Sequence, residues 1–336
     1  VSWWTDRLLA AFGICNKRLI MSMKDVDALY KAWDSFLNTE NFSSSYTSPI
    51  IFGQHHMHHN KLREDVEQTG VAELREAVKD PKEFKKYVKK GWIDEYGDII
   101  HLRYKYNKYG YRECTADNIV HKEPSILTLG CSDTFGAGNF LENTWPYVVS
   151  KALDKPVLNG GIPGGSFSEA YKTLLYAIPQ MKIDTVMLLI PERARELYFY
   201  WDKDSKYVRK TTITPAVLTV YDKDPDSIDS RRKQLIELYK ATFLTDETIA
   251  LSFKKNLDAI QNLCKSNNIN LIFIPNPIYY GHNKEYEEYG YLTLGKEFKM
   301  KSKYPKARDF LHYGEEYQSD IAQYFIERYK TLKIVA

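Results

Sequence analysis

Two rhythms of apolar positions divide the chain. Up to about residue 95 the apolar residues recur at helical spacing among many polar ones, which predicts amphipathic helices over Thr5 to Met23, Lys24 to Leu37, Val71 to Val78 and Pro81 to Lys90. A loop between the second and third of these carries Ser43-Ser44-Ser45 and the histidines His55, His56, His58 and His59. Near Gly91 the pattern changes, and Trp92 to Tyr104 reads as a hairpin turning at Tyr96-Gly97-Asp98. From Ser125 onward short apolar runs alternate with helical segments. Strands are expected at Ser125 to Cys131, Pro156 to Asn159, Asp184 to Ile190 and Asn270 to Pro275. Helices are expected at Thr144 to Leu153, Ser166 to Ile178, about Asp246 to Ser266, and roughly Gly314 to Lys330.

Strands that alternate with helices imply a mostly parallel sheet covered on both faces. The expected fold class is therefore α/β, a three-layer α/β/α domain over residues 96–336, preceded by a mainly helical module over 1–95 that serves docking or an accessory role. Residues 197–245 are rich in charge and tyrosine without a clear strand rhythm, and they read as a cap-like, substrate-binding insertion.

Composition narrows the function. The 336 residues carry 47 basic and 44 acidic side chains, a net charge of +3, which provides no broad basic field for a phosphate backbone and argues against nucleic acid as the partner. Four scattered cysteines, Cys15, Cys114, Cys131 and Cys264, form no C-x-x-C pair, so neither a zinc knuckle nor a disulfide framework is indicated. Val1 to Phe12 lacks a basic leading segment and its apolar positions are interrupted by charge, which reads as neither a signal peptide nor a membrane span. A cytoplasmic or virion-associated protein is the expectation. The histidine cluster has metal-ligand residue types, but adjacent histidines in an extended chain alternate direction, and no metal is expected there.

Serine chemistry needs an imidazole that accepts the hydroxyl proton and a carboxylate that fixes the imidazole's tautomer. Of the eight histidines, His282 and His312 lie downstream of the Gly130-Cys131-Ser132 that ends the first strand, and His312 alone of the two has a carboxylate at close fixed spacing, Asp309. In Asp309-x-x-His312 both side chains fall on one side of a single turn, just before the final helix. Ser132 lies immediately beyond a strand, in a loop whose glycines permit tight turning. Gly160 to Gly165 follows the second strand and opens a helix, where backbone amides can face a developing oxyanion. In sheets of this kind ligands gather at the carboxyl ends of the strands, where Ser132, the Gly160 to Gly165 loop, Pro191 to Arg193 and Asn276 would converge.

Together these segments resemble the SGNH (GDSL) hydrolase superfamily, whose first strand ends in a G-D-S block, second in N-x-x-x-x-G and third in G-x-N-D, with a closing D-x-x-H. Gly130-Cys131-Ser132 matches the first block, Asn159 to Gly164 the second and Asp309 to His312 the last. Asn107-Lys108-Tyr109-Gly110-Tyr111-Arg112 is similar to an N-x-x-G-[FY]-R lead-in of some bacterial and phage-encoded members. The resemblance covers about residues 105 to 330 and implies a flavodoxin-like sheet. It further implies Ser132 as nucleophile, His312 as base, Asp309 as its orienter, the amides of Ser132 and Gly164 in the oxyanion hole, and no cofactor. Two departures stand out. Cys131 replaces the aspartate before the serine, and Val186 to Ala194 lacks G-x-N-D, with Arg193 about where its asparagine belongs. Arg193 is then an oxyanion donor, an anion-binding group, a surface ion-pair partner or a mark of a degenerate site, and Asn276 is a further candidate donor. The implied activity is a serine esterase or deacetylase acting on an acylated small molecule or polysaccharide, carbohydrate O-acetyl esters included. The alternatives are sugar O-acyl transfer, and a degenerate scaffold acting as a structural or carbohydrate-binding protein, for example a phage virion component docked to a protein partner through residues 1–95.

Overall fold

In the computed structural model of the protein, the residues described are 64–66, 70–107, 111–114, 125–202, 207–214, 218, 222, 230–276 and 304–335. The helices expected before residue 40 and the histidine cluster lie outside them. The chain divides into two compact units, Val1–Thr47 and Ser48–Ala336, and all the described residues belong to the second.

The elements run in the order β1 (Glu64–Val66), α1 (Val71–Ala77), α2 (Pro81–Lys89), β2 (Arg103–Lys105), β3 (Ile126–Gly130), the single turn α3 (Ser132–Phe135), α4 (Trp145–Leu153), β4 (Val157–Gly161), α5 (Phe167–Ala177), β5 (Thr185–Ile190), β6 (Glu196–Asp202), β7 (Tyr207–Ile213), α6 (Ser230–Thr242), α7 (Asp246–Ser266), β8 (Asn270–Pro275) and α8 (Glu315–Val335). Strands β4, β3, β5 and β8, in that order, form a parallel sheet. Leu127 lies opposite both Leu158 and Val186, and Val186 opposite Leu271.

The period of two along each strand sorts side chains to opposite faces. Leu127, Leu129, Val186, Leu188 and Ile190 enter one core with Phe167, Leu174, Phe253 and Ile260 of α5 and α7. Ile126, Met187, Leu189 and Ile272 enter the other with Trp145 and Val149 of α4 and Ile321 and Phe325 of α8. Both faces of β3 and β5 are therefore dry, which is why their sequences are nearly continuous apolar runs, interrupted only by the small Thr128 and Thr185. Helix α5 starts at a capping box in which Ser166 and Glu169 bond each other's backbone N–H, and α7 starts where Thr245 accepts from Thr248 N–H. The expected α/β/α layering and mostly parallel sheet are what the structure has.

Two local expectations need correction. Trp92 to Tyr104 turns back at Tyr96-Gly97-Asp98 as expected, but its antiparallel pairing stops at one bridge, Ile93 to Ile99, and Arg103–Lys105 pairs antiparallel with Glu64–Val66 instead. The Asp94 carboxylate accepts the N–H groups of Tyr96 (2.9 Å) and Asp98 (2.8 Å), closing a tight side-chain turn where a strand ladder was expected. The stretch from residue 197 has strand structure after all, because β6 and β7 form an antiparallel hairpin from Glu196 opposite Ile213 to Asp202 opposite Tyr207. Leu197-Tyr198-Phe199-Tyr200-Trp201 is a run of strong strand formers whose pairing overrides the absence of alternation. Residues 71–93, expected within an appended module, pack in the same unit as the sheet: Leu74, Tyr87, Trp92 and Ile93 form a cluster that takes in Phe140 and Phe310.

Candidate active site

The carboxyl end of β3 lies between those of β4 and β5, so the loop after Gly130 is flanked on both sides by strand ends. Ser132 opens the turn α3 there, with 5% of its surface exposed. In such a turn the leading N–H groups have no acceptor within the helix. The turn is held from below by Arg112, almost wholly buried, which donates through Nη1 to Phe135 O (3.0 Å) and Gly136 O (2.6 Å) and through Nη2 to Asn139 O (2.7 Å). Its guanidinium lies 4.5 Å from the Tyr104 ring centroid, and the Tyr104 hydroxyl accepts from Gly138 N–H at 2.9 Å. Burial pushes the Arg112 pKa down to about 10, which leaves it charged at neutral pH. Thus the N-x-x-G-[FY]-R segment supplies a fixed cation that gathers three carbonyls of the serine loop.

The second half of the site is the turn before α8. Asp309, 3% exposed, accepts through Oδ1 from the backbone N–H groups of Leu311 and His312 (3.0 Å each), and its Oδ2 bonds His312 Nδ1 at 2.5 Å. One carboxylate therefore fixes both the turn and the imidazole. Burial by itself lowers the His312 pKa, but the hydrogen bond and charge of Asp309, helped by the charge of Asp133, outweigh it and the pKa is raised. Burial raises that of Asp309, and the bond and charge of His312 with the two backbone N–H groups bring it below its ordinary value. The two halves are laced together. Arg308 N–H donates to Gly138 O (3.1 Å), and Asn139 Nδ2 to Tyr313 O (3.1 Å). Gly138 lies so close to the dyad that a Cβ there would sit 2.5 Å from Asp309 Cγ, a separation that only glycine allows.

A buried polar cluster lies behind Ser132. Asp133 Oδ2 accepts from Asn276 Nδ2 (2.8 Å), Asn276 Oδ1 accepts from the Tyr317 hydroxyl (2.9 Å), and Asp133 O accepts from Gln318 Nε2 (3.0 Å). Burial raises the Asp133 pKa against the pull of His312, Asn276 and Arg195, and burial likewise pushes the Cys131 thiol up to about 11, which keeps it protonated. Arg195 follows the end of β5. Its side chain is 9% exposed, its Nε meets Glu192 Oε2 at 3.3 Å, and its charge acts on Cys131, Asp133 and His312.

Of the residues singled out in the sequence, Ser132, Asp309 and His312 thus stand on loops that are hydrogen-bonded to one another. Among the described residues, however, the His312 ring bonds Asp309 and no hydrogen bond joins it to Ser132 Oγ. Gly164 stands in a turn closed by Gly165 N–H on Ile162 O (2.8 Å), beyond the carboxyl end of β4. Asn276, expected as an oxyanion donor, is fully buried with its amide engaged by Asp133 and Tyr317. Arg193 lies half-buried in the segment after β5, two residues before Arg195. Asp133 and Arg195 were not anticipated, since no spacing rule separates Arg195 from Arg193, or a buried aspartate from a capping one. Among the described residues no group of three or more His, Cys, Asp or Glu side chains could hold a metal ion, and no helix is long and apolar enough to cross a membrane.

No protein-family model and no curated protein matches the sequence. Solved structures do. A member of the lipolytic protein G-D-S-L family from Veillonella parvula is 12% identical and aligns over 60% of this chain and 96% of its own, with a TM-score of 0.28. A psychrotrophic esterase, EstA, from Pseudoalteromonas sp. is 13% identical over 62% of this chain and 97% of its own, at a TM-score of 0.28. A lipase/acylhydrolase from Enterococcus faecalis is 15% identical over 61% and 96%, at 0.24. At such identities and TM-scores no residue role is carried over from them.

Proposed function

We propose that this chain, of the SGNH (GDSL) type, is a serine ester hydrolase in which Ser132, His312 and Asp309 act as nucleophile, base and orienter. The observation that carries the reading is the Asp309 carboxylate, which holds the His312 Nδ1 at 2.5 Å and the turn's backbone at once, on a loop laced to the one that bears Ser132. Bound in this way, Nδ1 keeps its proton and Nε2 is left as the acceptor. The Ser132 hydroxyl gives its proton to Nε2 as Oγ bonds the acyl carbon. The carbonyl oxygen takes the negative charge and is met by N–H groups of Ser132 and Gly164. Collapse of this adduct breaks the ester C–O bond, and the proton on Nε2 leaves with the alcohol. Water repeats the sequence on the acyl-serine, releasing the acid.

An O-acetylated carbohydrate is the favoured substrate class, supported by the aromatic-rich β6–β7 hairpin that begins directly beyond the carboxyl end of β5. Fluorophosphonate labelling and p-nitrophenyl acetate turnover test the reading. Wild type should label at Ser132 and turn over, while Ser132→Ala and His312→Ala should each lose on the order of a thousandfold or more in kcat. An unlabelled, inactive wild type would sink it.

A second reading, a binding protein on a disused hydrolase scaffold, draws on the missing third block and on the His312 ring, which among the described residues bonds Asp309 and not Ser132. Binding of an acetylated glycan without turnover or labelling would favour it. Acetyl transfer to an added glycan that outpaces hydrolysis would point to a transferase.

A further inference from the structure

Beside the dyad lies an aromatic assembly that the proposed hydrolysis does not use. The Tyr87 and Trp92 rings stack at 5.1 Å and 12°, and the Phe310 ring stands edge-on to both, at 5.9 Å and 79° from Tyr87 and at 5.9 Å and 81° from Trp92. Phe310 is the residue between Asp309 and Leu311, and its backbone is left-handed, at φ 57°. For a bulky side chain that conformation is costly and persists only where the surroundings impose it. Gly70 also packs tightly against this turn. A Cβ at Gly70 would lie 2.4 Å from Arg308 O and 3.0 Å from both Asp309 Cα and the Phe310 ring. The Lys90 ammonium, 4.3 Å from the Trp92 ring centroid, adds a further contact to Trp92.

We infer that Tyr87 and Trp92 are positioning residues for the proposed hydrolysis: by clamping the Phe310 ring they hold the Asp309–His312 turn in the strained conformation that aligns the carboxylate with Nδ1. The inference rests on the serine hydrolase reading. It gives residues 70–93, which contribute no reacting group, a role in catalysis through geometry. Without the clamp, Phe310 relaxes toward negative φ, Asp309 Oδ1 loses the two N–H groups that fix it, and the carboxylate swings away from the ring. Besides Asp309, the charged groups acting on His312 are Asp133 of α3 and Arg195 beyond β5, and the Lys306 ammonium donates to Leu311 O next to it at 2.8 Å. Neither Asp133 nor Arg195 belongs to the cluster in which Trp92 packs.

The experiment compares full-length wild type, Trp92→Ala and Trp92→Phe by p-nitrophenyl acetate kinetics and by NMR titration of the His312 ring, identified by its loss in His312→Gln. Trp92→Ala should lower kcat about 10- to 100-fold, on the scale of a displacement near 1 Å, with KM changed less than about twofold. The His312 pKa should fall toward 6.5, the ordinary value, and Trp92→Phe should recover most of both. A folded Trp92→Ala with unchanged kcat and His312 titration overturns the inference. Should Trp92→Ala not fold, Phe310→Ala removes the clamped ring itself and gives the same two readouts. The titration needs no turnover, so a wild type without esterase activity would refute the hydrolase reading while the NMR arm still decides whether the clamp holds the dyad.

Discussion

Arg112 holds the serine loop through a single side chain, and replacing it tests that role directly. The alanine variant removes donors from three carbonyls, Phe135 O, Gly136 O and Asn139 O, at a position where the residue is 1% exposed. Hydrogen bonds to a charged group contribute about 1.5–3 kcal/mol each, but the three share one guanidinium whose own desolvation offsets part of the gain. A net loss of roughly 3–5 kcal/mol is expected, because three buried carbonyls lose this donor at about 1–3 kcal/mol each, less the desolvation that the guanidinium no longer requires. Arg112→Lys keeps the charge but not the planar fork, and an ammonium can reach fewer of the three oxygens, so about half the loss should remain. Urea unfolding followed by tryptophan fluorescence measures both variants. A loss below about 1 kcal/mol for Arg112→Ala would refute the claim that this cation organises the loop. Esterase activity should fall further than stability alone explains, because the freed carbonyls lie three to seven residues beyond Ser132.

The charges around His312 set two more outcomes. The proposed hydrolysis requires the neutral imidazole, so kcat/KM should rise with pH through a midpoint above 6.5, the direction in which the His312 pKa is shifted, and a midpoint below that value would contradict the Asp309 contact. The same pair sets a stability window of opposite sense. His312, raised, contributes stability that is complete below 6.5 and is lost as pH climbs through its folded value; Asp309, lowered, contributes stability complete above 3.8 and lost as pH falls through its own. Asp133→Asn should move the midpoint of kcat/KM to lower pH, since the amide keeps an acceptor for Asn276 but removes a negative charge that raises His312. A midpoint that stays put in that variant would show that the Asp133 charge does not reach the ring.

The sheet was legible because its inner strands β3 and β5 are buried on both faces and write that burial into nearly continuous apolar runs. Asp309 and His312 were legible for a different reason: three residues apart and just before the last helix, a carboxylate and an imidazole fall within reach of each other on one turn, although what holds that turn in place is not local. The remainder depended on contacts between distant segments. The pairing of Glu64–Val66 with Arg103–Lys105 joins two charged triplets that carry no strand signature of their own. Trp92 read as the start of a hairpin, whereas its ring belongs with Tyr87 and Phe310. Arg195 and Arg193 are indistinguishable in sequence, and only the end of β5 decides which faces Asp133. The Cys131 substitution looked like a loss of the family's aspartate, yet the structure has a buried carboxylate on the other side of the serine, at Asp133.

That carboxylate is tied to Asn276 and through it to Tyr317, while its backbone carbonyl is tied to Gln318. Both Tyr317 and Gln318 belong to the first turns of α8, and Trp145 N–H donates to Gln318 Oε1 at 2.9 Å. The serine loop and the last helix are therefore joined by a chain of hydrogen bonds. An excursion that lifts α8 from the sheet removes the donors to the Asp133 carbonyl and to Asn276 Oδ1, so the loop's hydrogen bonding depends on a helix nearly two hundred residues away in sequence. The integrity of the site is thus bound to the docking of α8, which reaches the loop through Asn276 and Gln318.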